Sequence, residues 1–212
     1  MKSILKLNAA MLFLALTVFT ACSDDDDDNT PVKLTASEVK DLNSESTKNF
    51  TLFSFANGAV VANTDSVSSK WDIGFRGTTL VLNGGVSGPG QAQGQIVSGI
   101  FDELKEAPAD GYTADSQAAK AIVGSGTSGW YTYTGTTSVP NHAILPNAGK
   151  VIVLKTADGK YVKVEIISYY KGNPSTTTTT FADLATRPLS RYFTFRYIYQ
   201  PDGTRNFEST VK

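Results

Sequence analysis

Lys150 to Tyr170 reads KVIVLKTADGKYVKVEIISYY, two β-branched runs around an Asp-Gly pair, and a β-hairpin is the structure such a stretch favours. Asp158-Gly159 supplies the positive-φ turn. In the second run Lys163 and Glu165 alternate with Val162, Val164 and Ile166, the period of two that a half-buried strand requires. The same character recurs elsewhere. FTLFSF (Phe50 to Phe55) and KWDIGFRGTTLVLN (Lys70 to Asn83) are rich in aromatic and β-branched residues. RYFTFRYIY, QPDGT and RNFEST read as a second hairpin, with Phe193, Phe195, Tyr197 and Tyr199 on one face. Helical periodicity is weak, and ASEVKDLNSES and DSQAAKAIV each have room for only a helical turn or two. The expected fold is all-β, in one compact domain over residues 33–212.

Two segments break the strand pattern. NGGVSGPGQAQGQ (Asn83 to Gln95) is glycine-rich, and KGNPSTTTTTFADLATRPLS (Lys171 to Ser190) is a long polar connection. Connections of that length are usually functional or mobile.

The N-terminus addresses the chain to the cell exterior. Lys2 and Lys6 precede AAMLFLALTVFTA, an apolar run of 13 residues. A membrane-spanning helix needs about 20, so residues 1–21 read as a secretory signal peptide. The run ends in FTAC, which resembles the lipobox of bacterial lipoproteins, with Phe19 where leucine is usual. In that reading cleavage falls before Cys22, which is then acylated. A lone cysteine has no partner for an internal disulfide. Residues 22–32 form a lipidated acidic linker whose run Asp24 to Asp28 stays solvated by mutual repulsion. An acidic run directly after the lipidated cysteine resembles the surface-export signal of some Gram-negative lipoproteins. The expected location is the outer membrane, lipid-anchored and facing outward.

Composition excludes several functions. Without residues 1–21 the chain carries 17 Lys and Arg against 20 Asp and Glu, and five of those acids are the aspartate run. No clustered basic face is evident, so nucleic acid is not an expected partner. Met1 and Met11 leave with the signal, and the mature chain keeps one histidine, His142, and one cysteine. Structural zinc needs about four Cys or His ligands and catalytic zinc about three protein ligands, so both fail. Thiolate catalysis and blue copper fail for the same want of ligands. GSGTSG (Gly124 to Gly129) matches the dinucleotide fingerprint in letters only, because the strand-like WYTYT follows it rather than a helix. No G-x-S-x-G elbow accompanies His142, and Asp72, Asp102 and Glu103 carry no context that marks a glycosidase pair. The chain is expected not to be an enzyme.

Several pieces together resemble the HmuY family, haem-binding lipoproteins anchored in the outer membrane of Gram-negative bacteria. They are FSFANGAVV (Phe53 to Val61), KWDIGFRGTTLVLNGGVSGPGQAQG (Lys70 to Gly94), DGYT (Asp110 to Thr113) and GWYTY (Gly129 to Tyr133). VIVLKTADGKYVKVEIISYYKG (Val151 to Gly172) and YFTFRYIYQPDGTRNF (Tyr192 to Phe207) complete the set, in the family's order. The resemblance implies an all-β domain with a haem slot between strand ends, and delivery of haem to a TonB-dependent outer-membrane receptor. The best-known branch clamps iron between two histidines, and other branches use methionines. This chain departs from both. The segment after DGYT, ADSQAAKAIVGSGTSG, has neither residue, and Thr134 and Gly135 follow the GW strand where the second ligand would stand.

His142, in PNHAILP a few residues further on, is therefore the first candidate axial ligand, with Tyr133 and Tyr131 behind it. Imidazole and tyrosinate both serve as haem ligands. Trp71, Phe75 and Trp130 are candidate walls for a porphyrin, with burial in the core as the alternative. Arg76 and Arg191 are candidate partners for haem propionates. The competing reading keeps the fold without the cofactor, as a lipid-anchored adhesion or interaction module.

Overall fold

The computed structural model describes residues 30–211, so the signal 1–21, Cys22 and the run Asp24 to Asp28 lie outside the described residues. Strands β1 (Val32–Lys33), β2 (Ser37–Asn43), β3 (Thr51–Ser54) and β4 (Ala59–Val61) come first, followed by β5 (Ile73–Arg76), β6 (Thr79–Leu82) and β7 (Gln93–Ser98). After a long irregular stretch come β8 (Tyr131–Tyr133), β9 (Ile144–Pro146), β10 (Lys150–Lys155) and β11 (Tyr161–Tyr170). A helical turn α1 (Thr179–Ala182), the long β12 (Ser190–Gln200) and β13 (Ser209–Thr210) complete the order.

The Asp-Gly hairpin forms as β10 and β11, paired from Ile152↔Val164 to Lys155↔Tyr161. Thr156 N–H donates to the Lys160 carbonyl at 2.8 Å, and Gly159 takes the left-handed turn at φ +82°. Around this hairpin a five-stranded antiparallel sheet is ordered β2-β12-β11-β10-β7, and a four-stranded one is ordered β4-β3-β5-β6. Alternation explains how the two sheets meet. Phe193, Phe195 and Tyr197 leave one face of β12, beside Val162, Val164, Ile152 and Leu154. They pack on Phe53, Ile73, Phe75, Leu80 and Leu82 from the smaller sheet. Phe195 lies 5.5 Å from both Phe53 and Phe75, ring centre to ring centre, within the range of favourable aromatic pairing.

Four expectations change. ASEVKDLNSES contains strand β2, because the edge of β12 needs a partner and β2 places Leu42 in the core. Pairing outweighs a weak helical pattern. DSQAAKAIV forms no helix. The buried Asp115 carboxylate pins it instead, accepting from Leu82 N at 3.0 Å and Ala121 N at 2.8 Å. RNFEST does not fold back on β12: Ser209–Thr210 pairs with β1, while Gln200 Nε2 donates to the Asn206 and Ser209 carbonyls. Finally, the polar connection after Lys171 holds α1, with Thr178 Oγ1 accepting from Phe181 N at 3.2 Å and Phe181 buried 4.7 Å from the Tyr170 ring centre.

The outer face of the larger sheet carries a smaller core of Phe101, Ala107, Val151, Val153, Ile198 and Phe207. Lys163 is buried there at 2 % exposure, its ammonium donating to the Phe101 carbonyl at 2.6 Å and the Leu104 carbonyl at 2.8 Å. Burial holds its pKa down at about 8, although Asp102 pulls it the other way. The unfolded lysine keeps its proton up to its ordinary value of 10.5, so the unfolded chain binds more protons between about pH 8 and 10.5. Stability contributed by this group therefore rises with pH across that window. Urea unfolding at pH 7.5 and 9.5 should show Lys163→Met lacking a gain of roughly 1–2 kcal/mol that the unmodified chain has. Equal pH dependence in both would overturn the assignment.

Candidate functional site

The β8–β9 hairpin stands at one end of the sandwich, paired from Tyr131↔Pro146 to Tyr133↔Ile144. Ile144 N–H donates to the Tyr170 hydroxyl at 3.0 Å, which ties the hairpin to the end of β11. Its loop, Thr134 to Ala143, is closed from within. Thr134 Oγ1 donates to the Pro140 carbonyl at 2.6 Å and accepts from Ala143 N at 2.9 Å, and His142 N–H donates to the Gly135 carbonyl at 2.7 Å. His142 sits at φ +50°, a left-handed conformation that side chains other than glycine's adopt at a cost of about 1 kcal/mol.

That backbone turn brings His142 to Tyr133. The Tyr133 hydroxyl and His142 Nδ1 are 2.5 Å apart, a hydrogen bond whose direction follows the imidazole tautomer. With Nδ1–H donated to the tyrosine oxygen, Nε2 carries the lone pair that a metal requires. Arg187 holds the loop from outside. Its guanidinium donates to the His142 carbonyl at 3.2 Å, to the Phe181 carbonyl at 2.7 Å and to the Ala182 carbonyl at 3.3 Å. Tyr133 is half exposed, and Val139 and Leu184 are exposed apolar neighbours in the two segments that meet here. The sequence marked His142, Tyr133 and Tyr131, but nothing in it marked Arg187.

Tyr131 lies at the base of the same hairpin. Its hydroxyl reaches Thr78 Oγ1 at 3.4 Å, and it lines a cavity of about 380 Å³ with Thr78, Leu80, Lys120, Ile122 and Gly124. Trp130, beside it, is core: it is 2 % exposed, its Nε1–H donates to the Thr78 carbonyl at 3.2 Å, and its ring meets Phe193 at 5.3 Å. Phe75 is core as well, between the rings of Phe193 and Phe195. Arg191 lies near Glu45 and the Tyr169 hydroxyl, where it partly offsets the burial that pushes Tyr169 up to about 12, and the Tyr169 ring in turn meets Trp130 at 5.9 Å. Trp71 and Arg76 do come together, on the outer face of the smaller sheet. Leu52, Trp71 and Val81 form a third buried cluster there, with Phe50 and Val61 against it. Gly74 lets these side chains close over β5, since a Cβ would lie 2.9 Å from Val81 Cγ2 and 3.1 Å from Phe50 Cβ.

Of the carboxylates, Asp72 is buried and accepts from Phe55 N at 2.8 Å and Ala157 N at 3.0 Å, and burial raises its pKa. Asp102 pairs with Arg196 at 3.1 Å. Both are engaged structurally.

The HmuY protein family matches residues 46–182, well over half of the chain, and this chain belongs to that family. Among solved structures it is similar to the apo HmuY analog of Tannerella forsythia, at 12% identity and a TM-score of 0.51, covering 79% of this chain and 96% of that one. It is also similar to apo PinO of Porphyromonas gingivitis, at 14% identity and a TM-score of 0.46, covering 79% and 97%. A Bacteroides vulgatus protein described as HmuY-like and heme-binding gives 12% identity, a TM-score of 0.43 and coverage of 79% and 97%. No curated protein sequence matches it.

Proposed function

We propose that this chain is a non-enzymatic surface lipoprotein that binds haem, or another metallated tetrapyrrole, through His142 as a single axial ligand. The observation that carries the reading is the 2.5 Å contact between Tyr133 and His142 Nδ1, at the end of a hairpin held by Arg187. Haem-ligating histidines are oriented in this way by a hydrogen bond on the nitrogen away from the metal. Membership of the HmuY family and the heme-binding description of the Bacteroides vulgatus protein support it. Bound iron supplies the coordination. The chain's own residues orient the imidazole, and exposed Tyr133, Val139 and Leu184 offer apolar surface to a porphyrin. One ligand on an exposed hairpin suits release to a second protein, here an outer-membrane receptor of the TonB-dependent kind, with Cys22 as the lipid anchor and residues 22–32 as the tether to the domain 33–212.

The test is a haemin titration of the chain lacking residues 1–28, beside His142→Ala and Tyr133→Phe. We expect a saturable Soret shift in the unmodified protein, its loss in His142→Ala, and about tenfold weaker binding in Tyr133→Phe. A shift that survives His142→Ala moves the ligand to Tyr133 or Tyr131. No saturable shift in any of the three retires haem and leaves a lipid-anchored interaction module.

A further inference from the structure

Besides the hairpin, a cavity of about 560 Å³ opens on the outer face of the smaller sheet, within the size range of small-molecule sites. Its floor is apolar: Phe50, Trp71 and Val81. Its rim is cationic, with Lys48 from the turn before β3, Arg76 from the end of β5 and Lys120 from the segment pinned by Asp115. No carboxylate lines it among the described residues. Asp65 is engaged with Lys70 at 3.0 Å, and Asp115 with the backbone amides of Leu82 and Ala121 and, at 4.0 Å, with Lys120.

The Arg76 guanidinium is set in place without being neutralised. It lies 4.1 Å from the Phe50 ring centre and donates one N–H to the Lys48 carbonyl at 3.1 Å. That leaves the rest of its donor fork for an anion. Lys120 Nζ donates to Ser87 Oγ at 3.0 Å and stands 4.0 Å from Asp115. Three cations around an aromatic and aliphatic floor match one chemistry, a molecule with an apolar body and a multiply charged anionic head.

We infer that this cavity is a second, iron-independent site for a small amphipathic anion, its carboxylate or phosphate head between Arg76, Lys48 and Lys120 and its apolar body on Phe50, Trp71 and Val81. The site shares no residue with the His142 hairpin, although Thr79 and Lys120 also line the cavity at Tyr131.

Calorimetric titration of the full chain with dodecyl phosphate, below its micelle concentration, tests the site. Dodecyl maltoside presents the same tail without charge, and inorganic phosphate presents the head alone. We expect saturable binding of one dodecyl phosphate, at least tenfold weaker in Arg76→Met and in the double variant Lys48→Met/Lys120→Met, and unchanged in His142→Ala. The double variant leaves the Arg76 contacts with Phe50 and the Lys48 carbonyl intact, and an unchanged circular dichroism spectrum and urea midpoint in it separates lost binding from a folding defect. Equal affinity in the charge variants, or equal binding of dodecyl maltoside, would overturn the site in favour of apolar adsorption. Saturation by phosphate alone would overturn the role of the floor. Loss of binding in His142→Ala would place the anion at the hairpin instead.

Discussion

Trp130→Ala should destabilise the chain by about 4 kcal/mol, the cost of emptying a fully packed tryptophan site. The indole is 2 % exposed and meets Tyr131 at 4.6 Å, Phe193 at 5.3 Å and Tyr169 at 5.9 Å. Its Nε1–H also satisfies the Thr78 carbonyl in the turn between β5 and β6. The substitution thus opens a void and cuts a tie between the smaller sheet and the strand that carries Tyr131 and Tyr133. Urea unfolding followed by circular dichroism measures the first effect. A haemin titration of the folded variant measures the second, with weaker binding expected because β8 no longer starts from a fixed point. A loss under 1 kcal/mol would mean that the indole is not the anchor described.

The second large effect belongs to Asp72. Its carboxylate accepts two backbone amides from different parts of the molecule, Phe55 just after β3 and Ala157 in the β10–β11 turn. Asp72→Ala leaves both N–H groups buried without an acceptor, at about 1–3 kcal/mol each, so a loss of roughly 3–4 kcal/mol is expected. Asp72→Asn keeps one carbonyl oxygen and turns an NH₂ toward the other amide. It should lose less than the alanine variant but more than 1 kcal/mol. Thermal unfolding of the two variants side by side checks the order. If asparagine proves as stable as aspartate, the double acceptor role is wrong.

Much of the fold was legible because alternation and turn chemistry are local. Val162, Val164 and Ile166 against Lys163 and Glu165 marked β11, although the ammonium of Lys163 turned out to be buried beneath Phe101 and Phe207. What failed depended on distant partners. ASEVKDLNSES becomes strand β2 only because β12 has a free edge, and the chain's end pairs with β1 rather than with its sequence neighbour. Site residues divide in the same way. His142 and Tyr133 stood out by rarity and by their place beside a strand, and their contact follows from a tight loop. Lys48, Lys120 and Arg187 are ordinary surface cations in the sequence. Only the tertiary arrangement of three separate loops gives them a role.

The smaller sheet has apolar neighbours on both sides, Phe53, Ile73, Phe75 and Leu80 facing the larger sheet and Leu52 and Val81 facing outward beneath the cavity. Apart from Arg76 at the end of β5, the side chains of its central strands that face the cavity or the larger sheet are packed, so a change of ligand written into them would cost the fold. Adaptation of this cavity to a new molecule is thus confined to its margins. Lys48, Ser87 and Lys120 can vary in charge and reach while the scaffold under them stays as it is.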